Sequence, residues 1–482
     1  MKKRLGKFLT STALVGALLV STGCSDSDDP EITILPLPPG NSEIRVIHAS
    51  PDAPAVNVLL NGAEAISALD YGQSSGYAEV TSGAYDIVVQ GIIPGGTADV
   101  ISVPAFDLAD DARTNVLAIN AVATIDALVV EESAATPTAT QVALAVVHAA
   151  PDAPEVDIFV SAPGDDITTL TPVTTLSFTQ SADAGALDTG TVQIRATAAG
   201  TVVYDSGSVD LTPFGGAKLF ISAIASTTAT EQAASPIKLL VATDSDAITL
   251  LDTNTGAGAK VVHASADAGS AAGGPVEVFA TSMALGADPV ELIPSFAYTE
   301  SFPDAATYAA VPAADYIFDV APDTDMIGDS VFTSGSLTLE TAGEYTVIAA
   351  GRVTGTPAFD LLVTQDSNRA IVTEARVKVI HAAPAAGTVD VFVTPAGSFT
   401  VDQVESGAAG DPLLDDFVYP TITDYVAVEP GDYDIRVVAG GSVAINVEGF
   451  TLGAGLVANV IARGPAEPSG APTDFGLIVT TN

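Results

Sequence analysis

The sequence predicts an all-β protein built from four tandem immunoglobulin-like antiparallel β-sandwiches, strung out in an extended row. Three observations carry that expectation. All four histidines of the 482-residue chain, His48, His148, His263 and His381, fall in one recurring phrase, as in "RVIHASPDAPAVNVLL" and "AVVHAAPDAPEVDIFV". They stand 100, 115 and 118 residues apart, a period that fits a whole domain rather than a solenoid unit. Short Val-rich runs bounded by Gly, Pro, Asp and Ser recur throughout, with no sustained helical period beyond the first twenty residues.

The N-terminus reads as a processing signal. "MKKRLGK" places Lys2, Lys3, Arg4 and Lys7 ahead of an apolar run from Phe8 to Val20, too short to span a bilayer. "STGC" then ends on Cys24, the one cysteine in the chain. Residues 1–23 resemble a bacterial lipoprotein leader, which implies that Cys24 becomes the first mature residue and carries the lipid. Several acyl chains on one cysteine would give the two signals that stable anchoring needs. Residues 24–42, beginning "CSDSDDP", read as an acidic tether, and Ser25 after the cysteine favours the outer membrane under the enteric sorting pattern.

Composition narrows the possible partners. The formal charge is −43, from 59 acidic and 16 basic residues, which opposes binding to nucleic acid or to anionic lipid. Tryptophan is absent and aromatics make up 6%, so stacking platforms for sugars or single strands have little material. With no second cysteine, each domain must hold by core burial, which about 100 residues allow.

The repeats are expected at 43–133, 142–244, 258–366 and 375–482. After each histidine comes a strand: "VNVLL", "VDIFV", "VEVFA" or "VDVFV". Next is a hairpin signal with tyrosines eight apart, Tyr77 and Tyr85, Tyr308 and Tyr316, Tyr425 and Tyr433. The second copy has Leu187 and Val192 there instead, so the tyrosines read as core. Each copy closes on "ALVV", "KLLV", "DLLV" or "GLIV". "SDAITLLD" at Ser245 and "NRAIVTEA" at Asn368 read as strands that stiffen the joints.

The phrase "VIHASPDAPAVNV", together with "GYAEVTSGAYDIVV", resembles the bacterial envelope family known as domain of unknown function 4397. The resemblance implies an exported, sandwich-like domain without established chemistry.

Alternation along the strand places each histidine at the end of the core-facing row behind Ile44 and Val46 or their equivalents, with Arg45, Lys260 and Lys378 on the other face. "SPDAP" reads as a Pro-preset turn whose aspartate (Asp52, Asp152 or Asp267) bonds its own backbone. The histidine is expected to pin that turn, with Asn57, Asp157, Glu277 or Asp390 as its partner. His48, Ser50 and Asp52 do not make a catalytic triad, because they lie within five residues of one extended segment. One histidine per domain does not make a transition-metal site. "DTDMIGD", with Asp323, Asp325 and Asp329, is a weak calcium candidate lacking the terminal Glu. These readings point to a non-enzymatic, lipid-anchored envelope protein, structural or adhesive towards an envelope protein, an extracellular protein or a glycan. A calcium- or polysaccharide-binding surface module is the alternative, and an accessory to an extracellular enzyme a weaker one.

Overall fold

The computed structural model describes residues 40–269, 275–323, 326–465 and 474–481. Cys24, its leader and the tether up to residue 39 lie outside them, while Asn41 and Ser42, expected in the tether, belong to the first strand. Strands dominate, and eight build the first repeat: β1 (Asn41–His48), β2 (Val56–Leu60), β3 (Ala63–Leu69), β4 (Ala78–Thr81), β5 (Gly83–Ile93), β6 (Gly96–Leu108), β7 (Arg113–Ile119) and β8 (Asp126–Glu131). They form two four-stranded sheets, ordered β4-β1-β7-β8 and β3-β2-β5-β6. Ile44, Val46, Val58, Ile87, Val89 and Val116 meet between the sheets as the core.

The β-sandwich class is as expected; its topology is finer than the sequence suggested. Within this sandwich β1 pairs with β7 in parallel, Ile44 opposite Thr114 and His48 opposite Ala118, while the other pairings are antiparallel. The same parallel pair recurs between Gln141–His148 and Lys218–Ala225, between Ala257–His263 and Glu344–Ala350, and between Ala375–Ala382 and Val457–Arg463. Immunoglobulin constant domains divide their strands as ABED and CFG. Here the first, fourth, seventh and eighth strands share a sheet, and one parallel pair joins the otherwise antiparallel ladders of the expected sandwich. Strand periodicity reveals faces but not neighbours, and β1 meets β7 across some 70 residues of chain.

The extended row is also corrected, because the repeats pack in pairs. Residues preceding the histidines, Ile47, Val147, Val262 and Ile380, are fully buried on the face opposite their own cores. In repeats 1 and 2, Ile47, Leu117, Val147, Phe220 and Leu240 join in one shared cluster. In repeats 3 and 4, Val262, Ile348, Ile380, Ile461 and Ile478 do the same. The β1 strands are therefore buried on both faces, a pattern usually associated with covered sheets.

The charged residues that marked this face as solvent-facing are buried with it. Arg45 donates through Nε to Asn115 at 2.8 Å and through a terminal nitrogen to the Thr243 carbonyl of repeat 2 at 2.6 Å. Lys218 of repeat 2 returns the contact, reaching Glu132 at 3.0 Å and the Ser133 carbonyl at 2.9 Å. Between repeats 3 and 4 the exchange is again reciprocal. Lys260 donates to the Thr481 carbonyl at 2.6 Å, and Lys378 to the Gln365 carbonyl at 2.7 Å. Each cation thus reaches the final strand of the other repeat, or the residues just past it.

The two pairs are joined as well. Thr230, in the short helix α1 (Ala229–Ala234) of repeat 2, donates its backbone N–H and hydroxyl to the buried Glu344 carboxylate of repeat 3 at 3.0 and 2.8 Å. Arg369, between repeats 3 and 4, donates to the Ala53 carbonyl of repeat 1 at 2.6 Å and pairs with Asp70. The backbone N–H of Val372 donates to the Asp52 carbonyl at 3.0 Å. The segment at Asn368 is therefore a docking turn rather than a strand, whereas Ala247–Leu250 is a strand added to the edge of repeat 2.

Candidate functional site

The signature turn is where the repeated sequence is most concentrated. Each strand that opens a repeat carries a buried histidine as its last residue or, in repeat 4, its last but one. His48 Nε2 lies 2.9 Å from the Pro54 carbonyl, His148 Nε2 lies 3.0 Å from that of Pro154, and His381 Nε2 lies 2.9 Å from that of Gly387. A carbonyl only accepts, so in each case Nε2 carries the proton and donates. The clasp spans six residues and closes the turn between the first two strands.

This corrects the expected partner. Asn57, Asp157 and Asp390 accept from the neighbouring edge strand instead: Ala68 N–H at 2.9 Å, the Thr175 hydroxyl at 2.6 Å and Asp416 N–H at 3.0 Å. Ala68 and Asp416 both hold a positive φ, and the β2–β3 pairing and its counterpart in repeat 4 slip register close by. The polar residue therefore holds a β-bulge in the edge strand. Glu277 is fully buried. His263 differs from the other histidines, since neither ring nitrogen meets a partner among the described residues. The insertion that follows it, "AGSAAGG", falls largely at residues 270–274, outside those described.

Burial sets the protonation of these rings. Desolvation pushes His48 and His381 below the usual imidazole value, their carbonyl bonds opposing it only in part, and pushes His263 down to about 4.

The signature aspartates are not local turn caps either. Asp52 accepts from Val122 N–H at 2.8 Å, in the loop after β7. Asp267 accepts from Val353 N–H at 2.9 Å and from the Thr354 N–H and hydroxyl at 3.2 and 3.1 Å. Both fasten the turn after the first strand to the loop after its parallel partner. Asp152 is exposed, and repeat 4 has Ala385 at that place. Ser50 donates to the Asn120 carbonyl at 2.5 Å. His48, Ser50 and Asp52 thus bond to three separate backbone groups rather than to one another.

Where the signature turns of repeats 3 and 4 meet, Asp267, Tyr298, Arg352 and Pro384 surround a cavity of about 30 Å³. That is room for a water or two, not for an organic substrate. Asp323 accepts from Ser295 at 3.1 Å, Asp329 ends a 3-10 turn and Asp325 lies outside the described residues. A different acidic group comes together at Asp390, Asp415 and Asp416, whose carboxylate oxygens lie within 4.8 Å of one another.

The tyrosines divide their labour. Tyr85, Tyr316 and Tyr433 donate to carbonyls four residues back, those of Thr81, Pro312 and Glu429, at 2.8, 2.7 and 2.7 Å. Tyr77, Tyr308 and Tyr425 cover the seam cations, with ring centres 4.4 Å from the Arg45 guanidinium and 4.3 Å from the Lys260 and Lys378 ammoniums. Around Asp366, whose side chain is fully buried, gather the hydroxyls of Tyr308 and Tyr425 at 2.8 and 3.1 Å, the Asn459 amide at 3.0 Å and Lys378 at 3.4 Å. Sequence reasoning missed this polar centre. Its signal was the apolar residue before each histidine, which makes the opposite face of the strand as buried as the first.

Among solved structures, the Bacillus anthracis TIE protein matches over 88% of this chain and 68% of its own, at 11% identity and a TM-score of 0.16. A candidate cell adhesion protein of Bacteroides fragilis matches over 47% of this chain and 96% of its own, at 12% identity and a TM-score of 0.11. Neither likeness carries an inference at such scores. No curated protein matches. The family model described as Domain of unknown function (DUF4397) matches residues 42–159 and 257–392, together more than half of the sequence, and each match begins on the strand that leads into a signature histidine. The chain belongs to the DUF4397 family.

Proposed function

We propose that this is a non-enzymatic, lipid-anchored cell-envelope protein that acts structurally or adhesively, tethered through Cys24 to the outer membrane. The supporting observation is the commitment of the signature side chains to the scaffold. Three of the four histidines bond backbone carbonyls, two aspartates accept from backbone N–H groups, and the seam cations reach carbonyls of the neighbouring repeat as well as side chains. What such a chain offers a partner is a stiff surface, repeated, on which weak contacts multiply through effective concentration. No helix among the described residues is long and apolar enough to cross a membrane, so the tether would carry the attachment.

The test is fractionation of producing cells carrying the natural chain or Cys24→Ser. The natural chain is expected with the membranes and the variant in the soluble fraction; a variant that stays with the membranes overturns the anchor. Protease shaving of intact cells against a lysed control then separates surface adhesion from periplasmic scaffolding.

The competing reading, a calcium- or polysaccharide-binding module, is favoured by the meeting of Asp390, Asp415 and Asp416. A calcium titration that leaves the melting temperature unchanged removes its calcium half.

A further inference from the structure

The four sandwiches share one plan but not one interior. Repeat 1 encloses a cavity of about 230 Å³ between its sheets, walled by Val46, Val58, Val89, Ile101 and Val116. The spaces found inside repeats 2 and 4 measure only about 20 to 30 Å³. Of the residues lining the large cavity, Asp126 alone is polar, and it is exposed.

The difference lies at one edge. The cavity reaches out between β6 and β8, the outermost strands on that side of the two sheets, past half-buried Val103 and Phe106 and exposed Val129. Repeat 2 closes the same edge with the added strand Ala247–Leu250, whose Ile248 and Leu250 pack with Phe214 over the core. Repeat 3 closes it with Phe332 against Phe359, ring centres 4.9 Å apart. Repeat 4 packs Phe475 and Leu477 onto its core. Repeat 1 has smaller residues at this edge: Ala127 stands where repeat 4 has Leu477, and Ile125 where it has Phe475.

We propose that repeat 1 is a binding site for the single apolar tail of a small amphiphile with a neutral or cationic head. A wall of hydrocarbon offers a sugar or peptide nothing to hydrogen-bond, whereas a dry apolar cavity accepts hydrocarbon. A cavity of 150 Å³ holds benzene, so by proportion 230 Å³ holds roughly nine carbons. The head would sit at the mouth beside the Asp126 carboxylate, on a chain with a net charge of −43, which disfavours an anion.

The test is calorimetric titration of the full chain with straight-chain alcohols of four to twelve carbons, together with octylamine and octanoate. Each methylene that enters should tighten binding about fourfold, the equivalent of about 0.8 kcal/mol, until roughly nine carbons, after which affinity levels off. Octylamine should bind more tightly than octanoate. Ala118→Leu fills the cavity from β7 and should abolish the heat; should that variant not fold, Val129→Phe at the exposed mouth should weaken binding at least tenfold. Absence of binding, affinity indifferent to chain length, or affinity unchanged in the folded variants overturns the proposal.

Discussion

Protonation of His263 should destabilise the protein in a way that one substitution removes. The ring is fully buried, has no hydrogen-bond partner among the described residues, and packs against Phe296 and Tyr298 with centres 5.6 and 6.0 Å away. Burial lowers its pKa from about 6.5 in the unfolded chain to about 4. Between those values the unfolded chain holds a proton that the folded one does not, so stability falls as the pH drops from 6.5 towards 4. At about 1.4 kcal/mol per pH unit the full loss from this one group is about 3.5 kcal/mol, of which about 3 is reached at pH 4. The assay is urea denaturation of the natural chain and of His263→Phe at pH 7, 6, 5 and 4. Phenylalanine keeps the aromatic packing and removes two buried nitrogens that meet no partner among the described residues, so the variant should equal or exceed the natural chain at pH 7. Its advantage should then grow by about 3 kcal/mol at pH 4. Carboxylate titration is common to both proteins and cancels in the difference. A difference that stays constant across the series would refute the reasoning.

His381→Phe should behave differently, losing about 1–3 kcal/mol already at pH 7, because it strands the Gly387 carbonyl that the imidazole now satisfies. Asp366→Ala leaves the Lys378 ammonium without its buried carboxylate and should cost about 3–5 kcal/mol, while the double variant with Lys378→Met should recover most of the loss in the same denaturation assay. Ile380→Ala removes a fully buried side chain from the seam of repeats 3 and 4; about 2–5 kcal/mol lost by urea titration is expected, and a loss under 1 kcal/mol would mean that the seam is not a real core. Arg369→Ala should leave each sandwich intact but raise the rate of proteolytic cutting between repeats 3 and 4, since that side chain docks the connecting segment on repeat 1.

The sandwiches and the signature were legible because alternation and recurrence are local properties. Four histidines in one phrase predicted four copies, and Ile44 and Val46 predicted which face holds each core. The inter-repeat seams were less legible. Arg45, Lys260 and Lys378 made the opposite face look wet, yet each is satisfied by carbonyls or a carboxylate of the neighbouring repeat and roofed by a tyrosine, a solution visible only in three dimensions. The histidine's partner was missed for a related reason. Sequence shows side chains, and the group that accepts the proton is a backbone carbonyl six residues on. Asp52 reaches a loop 70 residues away, beyond anything its neighbours in sequence imply.

The reciprocal seams also set a rhythm for biogenesis. Repeat 1 can close its sheets by itself, but Ile47 and Leu117 still face water until residues 141–250 fold beside it. The third repeat waits in the same way for the fourth. The chain therefore matures in two strokes rather than four. Gene duplications that add or delete a single copy would leave an apolar face without a mate, so lineages of this architecture are expected to lengthen and shorten by twos.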